Sequence, residues 1–274
     1  MIVDVHAHFC PSGLFDALRA RGQEFGIDLA DAPPTCACHF DYGLKVRPFF
    51  PGLLDLDRRL AEMDRQGVDR QILSKWTDIF GYGMDVARNA AWHRILNDTL
   101  ADLAAAHPDS FSWMASAPLC DGARAAEEIA RAARSGAVGL IVPGNVEGEN
   151  LGNLALDELW AACSELSLPV FVHPALPEPQ PRTGRYGLNQ TCAYTMDTTL
   201  GVASVILSGT LDRFPDLELL LSHGGGNLPY LIGRFDRVHD AMDRDKTGDR
   251  AAQAPSSYLR RLSYDTILHE PTAL

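Results

Sequence analysis

Short runs of aliphatic and branched residues alternate along the chain with stretches of helical periodicity. This is the pattern of strands joined by crossover helices in a parallel sheet. The runs Ile2 to His6, Val68 to Ser74, Phe111 to Ala117, Val138 to Val142, Pro169 to His173, Leu217 to His223 and Leu262 to Ile267 predict seven strands. Helices are predicted over Leu54 to Gln66, Asp85 to Ala106, Ala123 to Arg134, Leu156 to Leu166, Asp197 to Leu207 and Leu228 to Met242. In the first of these Leu56, Leu60 and Met63 fall four and three apart, and Gly67 supplies the stop. Near-continuous apolar strands such as Leu219-Leu220-Leu221 are the kind buried on both faces, which fits a parallel (β/α)8 barrel of the TIM type better than an open doubly wound sheet. The glycine-rich phosphate fingerprint of the open sheet is also absent after the first strand. No repeat or linker divides the chain, so a single domain over 1–274 is expected. One long insertion, residues 9–53, is rich in Pro, Gly and Cys, and over a barrel mouth it would form a lid.

Histidines cluster at the predicted strand ends. His6 and His8 lie two apart on the first strand, so their imidazoles share a face. Two adjacent inward imidazoles are costly to bury unless something shares them, and a divalent metal is the usual partner. His173 closes the fifth strand and His223 the sixth. Catalytic groups of a parallel barrel gather at these C-terminal strand ends.

Charge narrows the partners. The chain of 274 residues carries 36 acidic and 24 basic side chains, a net charge of −12, which argues against nucleic acid and against an anionic membrane surface. No apolar stretch has the length of a membrane span and the start MIVDVHAH lacks the features of a signal peptide, so a cytosolic protein is expected. Six cysteines spread over this length read as reduced thiols. The compact run Cys36-Ala37-Cys38-His39 offers soft metal ligands, but without an assignable fourth ligand it reads as part of a Pro-rich loop.

Taken together, His6-Ala7-His8, Val172-His173-Pro174 and Ser222-His223-Gly224-Gly225-Gly226 resemble the amidohydrolase superfamily of metal-dependent (β/α)8 barrels. Further segments are similar to the branch that contains aminocarboxymuconate semialdehyde decarboxylase and related decarboxylases of aromatic and dienoic acids. These are Val46-Arg47-Pro48, Glu62-Met63-Asp64, Gly67-Val68-Asp69, Phe80-Gly81-Tyr82, Leu207-Ser208-Gly209 and Leu231-Ile232-Gly233-Arg234. The resemblance implies that His6, His8 and His173 bind one divalent metal, Zn²⁺ with Mn²⁺ as the alternative, and that three protein ligands leave positions open for chemistry. It implies His223 as the general acid/base, with a further ligand as its other role. Arg47 would grip a substrate carboxylate, Phe80 and Tyr82 would line a pocket for a planar substrate, and Arg234 would reach the neighbouring subunit's substrate in a homodimer. No organic cofactor is implied, because a conjugated substrate can hold the electrons itself.

One part of the superfamily pattern has no counterpart: the aspartate that ends strand eight within a G-S-D-x-P segment. Asp265 belongs to the seventh strand and does not take over that role. The expectation from this pattern is a barrel truncated before its eighth strand. The implied function is a metal-dependent, non-oxidative decarboxylase of an aromatic or conjugated acid. Hydrolysis of an ester, lactone or amide is the alternative, followed by hydration or a non-catalytic relative.

Overall fold

Each of the seven apolar runs becomes a strand, and three of the helices between them start at a capping aspartate. The computed structural model describes residues 1–32, 35–175, 182–270 and 272, in two units, Met1–Leu140 and Ile141–Leu274.

The first unit runs β1 (Val3–His8), α1 (Ser12–Arg21), β2 (Ile27–Ala32), β3 (Thr35–Phe40), α2 (Leu56–Gln66), β4 (Arg70–Ser74), α3 (Val86–Ala106), β5 (Phe111–Trp113) and α4 (Gly122–Arg134). Strands β1, β4 and β5 pair in parallel in that order, with Val3 opposite Arg70 and Gln71 opposite Phe111. The β1–β4 register shifts between Asp4 and Ala7, just before the histidine pair is complete. Three helices share one entry device: Asp55, Asp85 and Asp121 each accept from the backbone N–H three residues on, at 2.9, 3.0 and 3.0 Å. Such a cap stabilises a helix by about 1 kcal/mol. Gly67 closes α2 in the left-handed conformation.

Helix α3 buries Trp92, Leu96 and Leu100 at four-residue spacing, each worth about 1.5–3 kcal/mol of apolar burial. The same helix also buries His93 and Asn97. Both meet Ser116, where His93 Nδ1 lies 2.7 Å from Ser116 Oγ and Asn97 Oδ1 accepts from Ser116 N at 2.8 Å. Asn97 also donates to the buried Glu128 at 2.7 Å.

The insertion is not the loop its composition suggests. It folds into α1 and an antiparallel hairpin, β2 with β3, in which Ile27 faces Phe40 and Leu29 faces Cys38. The Cys36-Ala37-Cys38-His39 run is therefore strand, and among the described residues no set of three ligand atoms gathers on it. Burial pushes the Cys38 thiol up, away from the thiolate a metal needs. Between the two strands, Pro33 and Pro34 lie outside the described residues.

The second unit continues from β6 (Leu140–Val142) through β7 (Asn145–Val146), β8 (Glu149–Asn150), α5 (Asp157–Glu165), β9 (Val170–Val172), α6 (Tyr194–Leu207), α7 (Thr210–Arg213), β10 (Leu219–Leu221), α8 (Leu228–Ala241), α9 (Arg244–Thr247) and β11 (Leu262–Tyr264). Its sheet has the order β11-β10-β9-β6, with Leu219 opposite both Val170 and Leu262 in parallel register. Every residue of β6 and β9 is buried, as expected of a strand covered on both faces. Helix α6 starts three residues earlier than predicted, on a π-helical turn at Asn189–Ala193. Pro271, Ala273 and Leu274 lie outside the described residues. Among the described residues no helix is long and apolar enough to cross a membrane.

Candidate active site

In the first unit His6 and His8 project from the C-terminal end of β1 with their rings 5.1 Å apart, edge to face. His8 Nδ1 lies 3.2 Å from the Lys75 carbonyl and 2.9 Å from Ser74 Oγ. A carbonyl can only accept, so Nδ1 carries the proton and Nε2 the lone pair. A cavity of about 200 Å³ is lined by His6, His8, Phe50 and Arg59 among others.

In the second unit His173 follows β9 and His223 follows β10, with ring centroids 5.3 Å apart. His173 Nδ1 is 2.7 Å from the Pro174 carbonyl, which fixes the same tautomer as in His8. His223 is one of few non-glycine residues at positive φ, +53°, and Gly224, Gly225 and Gly226 continue the run. Such a conformation is sparsely populated and persists only where its surroundings enforce it. Asp265 supplies one restraint, accepting from Gly224 N at 2.9 Å, while its own N–H donates to Leu221 O at 3.0 Å. The aspartate to which the sequence assigns no metal role thus braces the turn that carries His223.

Arg47 is half exposed. Its Nε lies 3.3 Å from Oδ2 of the buried Asp78, and its Cζ sits 4.6 Å over the Trp76 ring. Burial pushes the Asp78 carboxyl up to about 6, with Arg47 opposing the shift. A carboxyl raised from 3.8 binds its proton more tightly in the folded chain, so its contribution to stability is present in full below about pH 4 and is lost as pH rises through about 6. The loss amounts to about 3 kcal/mol. Urea unfolding is expected to show Asp78→Asn gaining on the wild type across that interval. Parallel curves for the two proteins would refute the assignment.

Phe80 and Tyr82 are packed into the interior of the first unit. Phe80 is 1% exposed, the rings stand 5.9 Å apart, and both contact His93. The Tyr82 hydroxyl donates to Ala117 O at 3.1 Å. Arg234 lies exposed on α8, with Tyr230 (93% exposed) and Val238 (45%) one turn to either side. Sequence reasoning missed Ser74, Trp76 and Asp78. The last two had a signal: a tryptophan and an aspartate two apart directly after a strand end, where barrels keep their chemistry.

The amidohydrolase family pattern matches residues 3–268. The chain belongs to the amidohydrolase family. It is 27% identical over 276 residues to 2-amino-3-carboxymuconate-6-semialdehyde decarboxylase of Dictyostelium discoideum, covering 99% of this chain and 76% of that protein. The crystal structure of 5-carboxyvanillate decarboxylase from Sphingomonas paucimobilis superposes with a TM-score of 0.77 at 27% identity, over 96% of this chain and 80% of that one. A dihydroxybenzoic acid decarboxylase from Polaromonas sp., solved with bound manganese, has a TM-score of 0.69 at 22% identity, over 96% and 77%. Family and structural neighbours establish the fold class expected from the strand pattern, an α/β barrel of the TIM type.

Proposed function

We propose that this amidohydrolase-family protein is a metal-dependent, non-oxidative carboxy-lyase acting on an aromatic or conjugated unsaturated acid. His6, His8 and His173 hold one divalent ion, and His223 is the acid/base. The observation that supports this reading is the shared tautomer of His8 and His173, each with Nδ1 held at a carbonyl so that Nε2 carries the lone pair, the form in which a neutral imidazole binds a metal. Three imidazoles with open positions suit Zn²⁺ and Mn²⁺ alike. The manganese of the Polaromonas relative makes Mn²⁺ the first ion to load.

When bound, the ion supplies a Lewis acid for the substrate's oxygen atoms. Arg47 holds the departing carboxylate. His223 delivers a proton to the carbon that bears it. The bond from that carbon to the carboxylate then breaks, its electron pair returns to the conjugated system, CO₂ leaves, and solvent restores the proton to His223. Phe80 and Tyr82, sealed in the core, act by holding the segment after β4 in shape. CO₂ release from 2,6-dihydroxybenzoate, 5-carboxyvanillate and aminocarboxymuconate semialdehyde by the Mn²⁺-loaded protein is the test. Turnover of at least one is expected, and lactone or ester turnover without CO₂ would install the hydrolase reading instead.

The exposed stripe of Tyr230, Arg234 and Val238 on α8 supports a homodimer in which Arg234 reaches the partner's substrate. Sedimentation should give twice the chain mass of 29.9 kDa, and a monomer under assay conditions would remove this part of the proposal.

A further inference from the structure

Arginine side chains on loops are ordinarily mobile, but the Arg47 guanidinium is held on two sides. Asp78 Oδ2 stands 3.3 Å from Nε, and the Trp76 ring lies 4.6 Å beneath Cζ. Trp76 is 4% exposed and cannot turn away, because Phe49 and Phe50 pack near its edge with ring centroids at 5.6 and 6.1 Å. Asp78 sits in the short helical turn Thr77–Ile79, which is tied down in turn. Trp92 Nε1 donates to Ile79 O at 2.7 Å, and Asn89 Nδ2 donates to the Phe80 and Gly81 carbonyls at 3.0 and 2.9 Å. From β4 to α3 the mount is rigid.

A buried carboxylate facing a half-exposed guanidinium is a poor way to stabilise a fold, since the acid loses its hydration while the base keeps much of its own. Among the described residues Arg47 is the cation paired with Asp78, an ion pair in which Asp78 Oδ2 has no partner at hydrogen-bond geometry, and no carboxylate engages the terminal nitrogens of Arg47. What the arrangement does achieve is orientation. A guanidinium with a fixed plane presents its remaining N–H fork in that plane, and a carboxylate bound through two parallel hydrogen bonds must lie in it too.

We propose that Asp78 and Trp76 are positioning residues for Arg47, fixing the orientation in which its guanidinium presents its terminal nitrogens to a substrate carboxylate. This rests on the reading of Arg47 as the carboxylate-binding residue.

The test uses benzoate, with cyclohexanecarboxylate as a second acid and benzamide as the neutral control, titrated calorimetrically into the Mn²⁺-loaded chain. Asp78→Asn and Trp76→Leu are expected to weaken benzoate and cyclohexanecarboxylate alike by about tenfold, with little change for benzamide. Asp78→Glu and Trp76→Phe should restore benzoate to within about threefold. At neutral pH the melting temperature of Asp78→Asn should rise while its benzoate affinity falls, which a merely structural carboxylate would not produce. Unchanged benzoate affinity in Asp78→Asn, loss of affinity accompanied by a lower melting temperature, or no benzoate binding by the wild type would each overturn the inference. Arg47-dependent benzoate binding without CO₂ release from any acid would refute the carboxy-lyase reading and leave the inference standing. CO₂ release with benzoate binding indifferent to Asp78 and Trp76 would do the reverse.

Discussion

Replacing His6 or His173 by alanine is expected to lower CO₂ release by on the order of a thousandfold and to leave the chain without its metal after desalting. The size follows from what the imidazoles would do. A bound divalent ion stabilises charge on the substrate by several kcal/mol, and each tenfold in rate corresponds to about 1.4 kcal/mol. Losing one of three neutral nitrogen donors leaves two, too few for tight retention. His6 belongs to the first unit and His173 to the second, so the pair of variants also asks whether one ion is shared. Metal analysis of the wild type should give one ion per chain, and both variants should lose it. Retention of metal with near-normal activity in either variant would refute the ligand assignment. Loss of half the metal in each would point to two separate two-histidine sites.

The second large effect is expected at Gly226, where alanine should destabilise the protein by about 4 kcal/mol. Gly226 has φ +63° and ψ −127°, a conformation essentially confined to glycine. An added Cβ would also lie 2.2 Å from the Thr195 carbonyl oxygen and 2.8 Å from Thr199 Oγ1. Neither can step aside, because the Thr199 hydroxyl donates to Thr195 O at 2.7 Å and accepts from Asn227 N at 2.8 Å. Urea unfolding of Gly226→Ala measures the cost. A change below about 1 kcal/mol would show that the turn after β10 relaxes far more easily than these contacts allow.

Much of this was legible in the residues, for reasons that differ from element to element. The strands β6 and β9 are unbroken apolar runs and could be little else in a parallel sheet. Helices α2, α3 and α4 announce themselves by an aspartate three residues ahead of the backbone donor it caps. Helix α1 lacks that signal. Pro11 stands at its N-cap and makes no side-chain cap, and its first turn holds no acid. The hairpin of β2 and β3 mixes Ile27, Thr35 and Phe40 with a majority of Asp, Ala and Cys, which carry little strand preference of their own; pairing with each other makes them strand.

At the candidate site, His6 and His8 were legible as a pair because alternate positions of a strand share a face, and His173 and His223 because each follows the end of an apolar strand. The groups that orient them were not, because two are main-chain carbonyls, which every residue type possesses. The choice among the aromatics also turned on structure. Phe80 and Tyr82 share a segment with Trp76, and only the path of the chain after β4 shows that Trp76 meets Arg47 while the other two enter the core.

Those carbonyls have an evolutionary consequence. Lys75 and Pro174 hold the tautomers of His8 and His173 through main-chain oxygens, so substitution of either side chain leaves the acceptor in place. The ring geometry is insulated from drift at the positions beside it. The chain can therefore explore new pocket walls next to its imidazoles without first giving up their alignment, a freedom that a site oriented only by carboxylate side chains would lack.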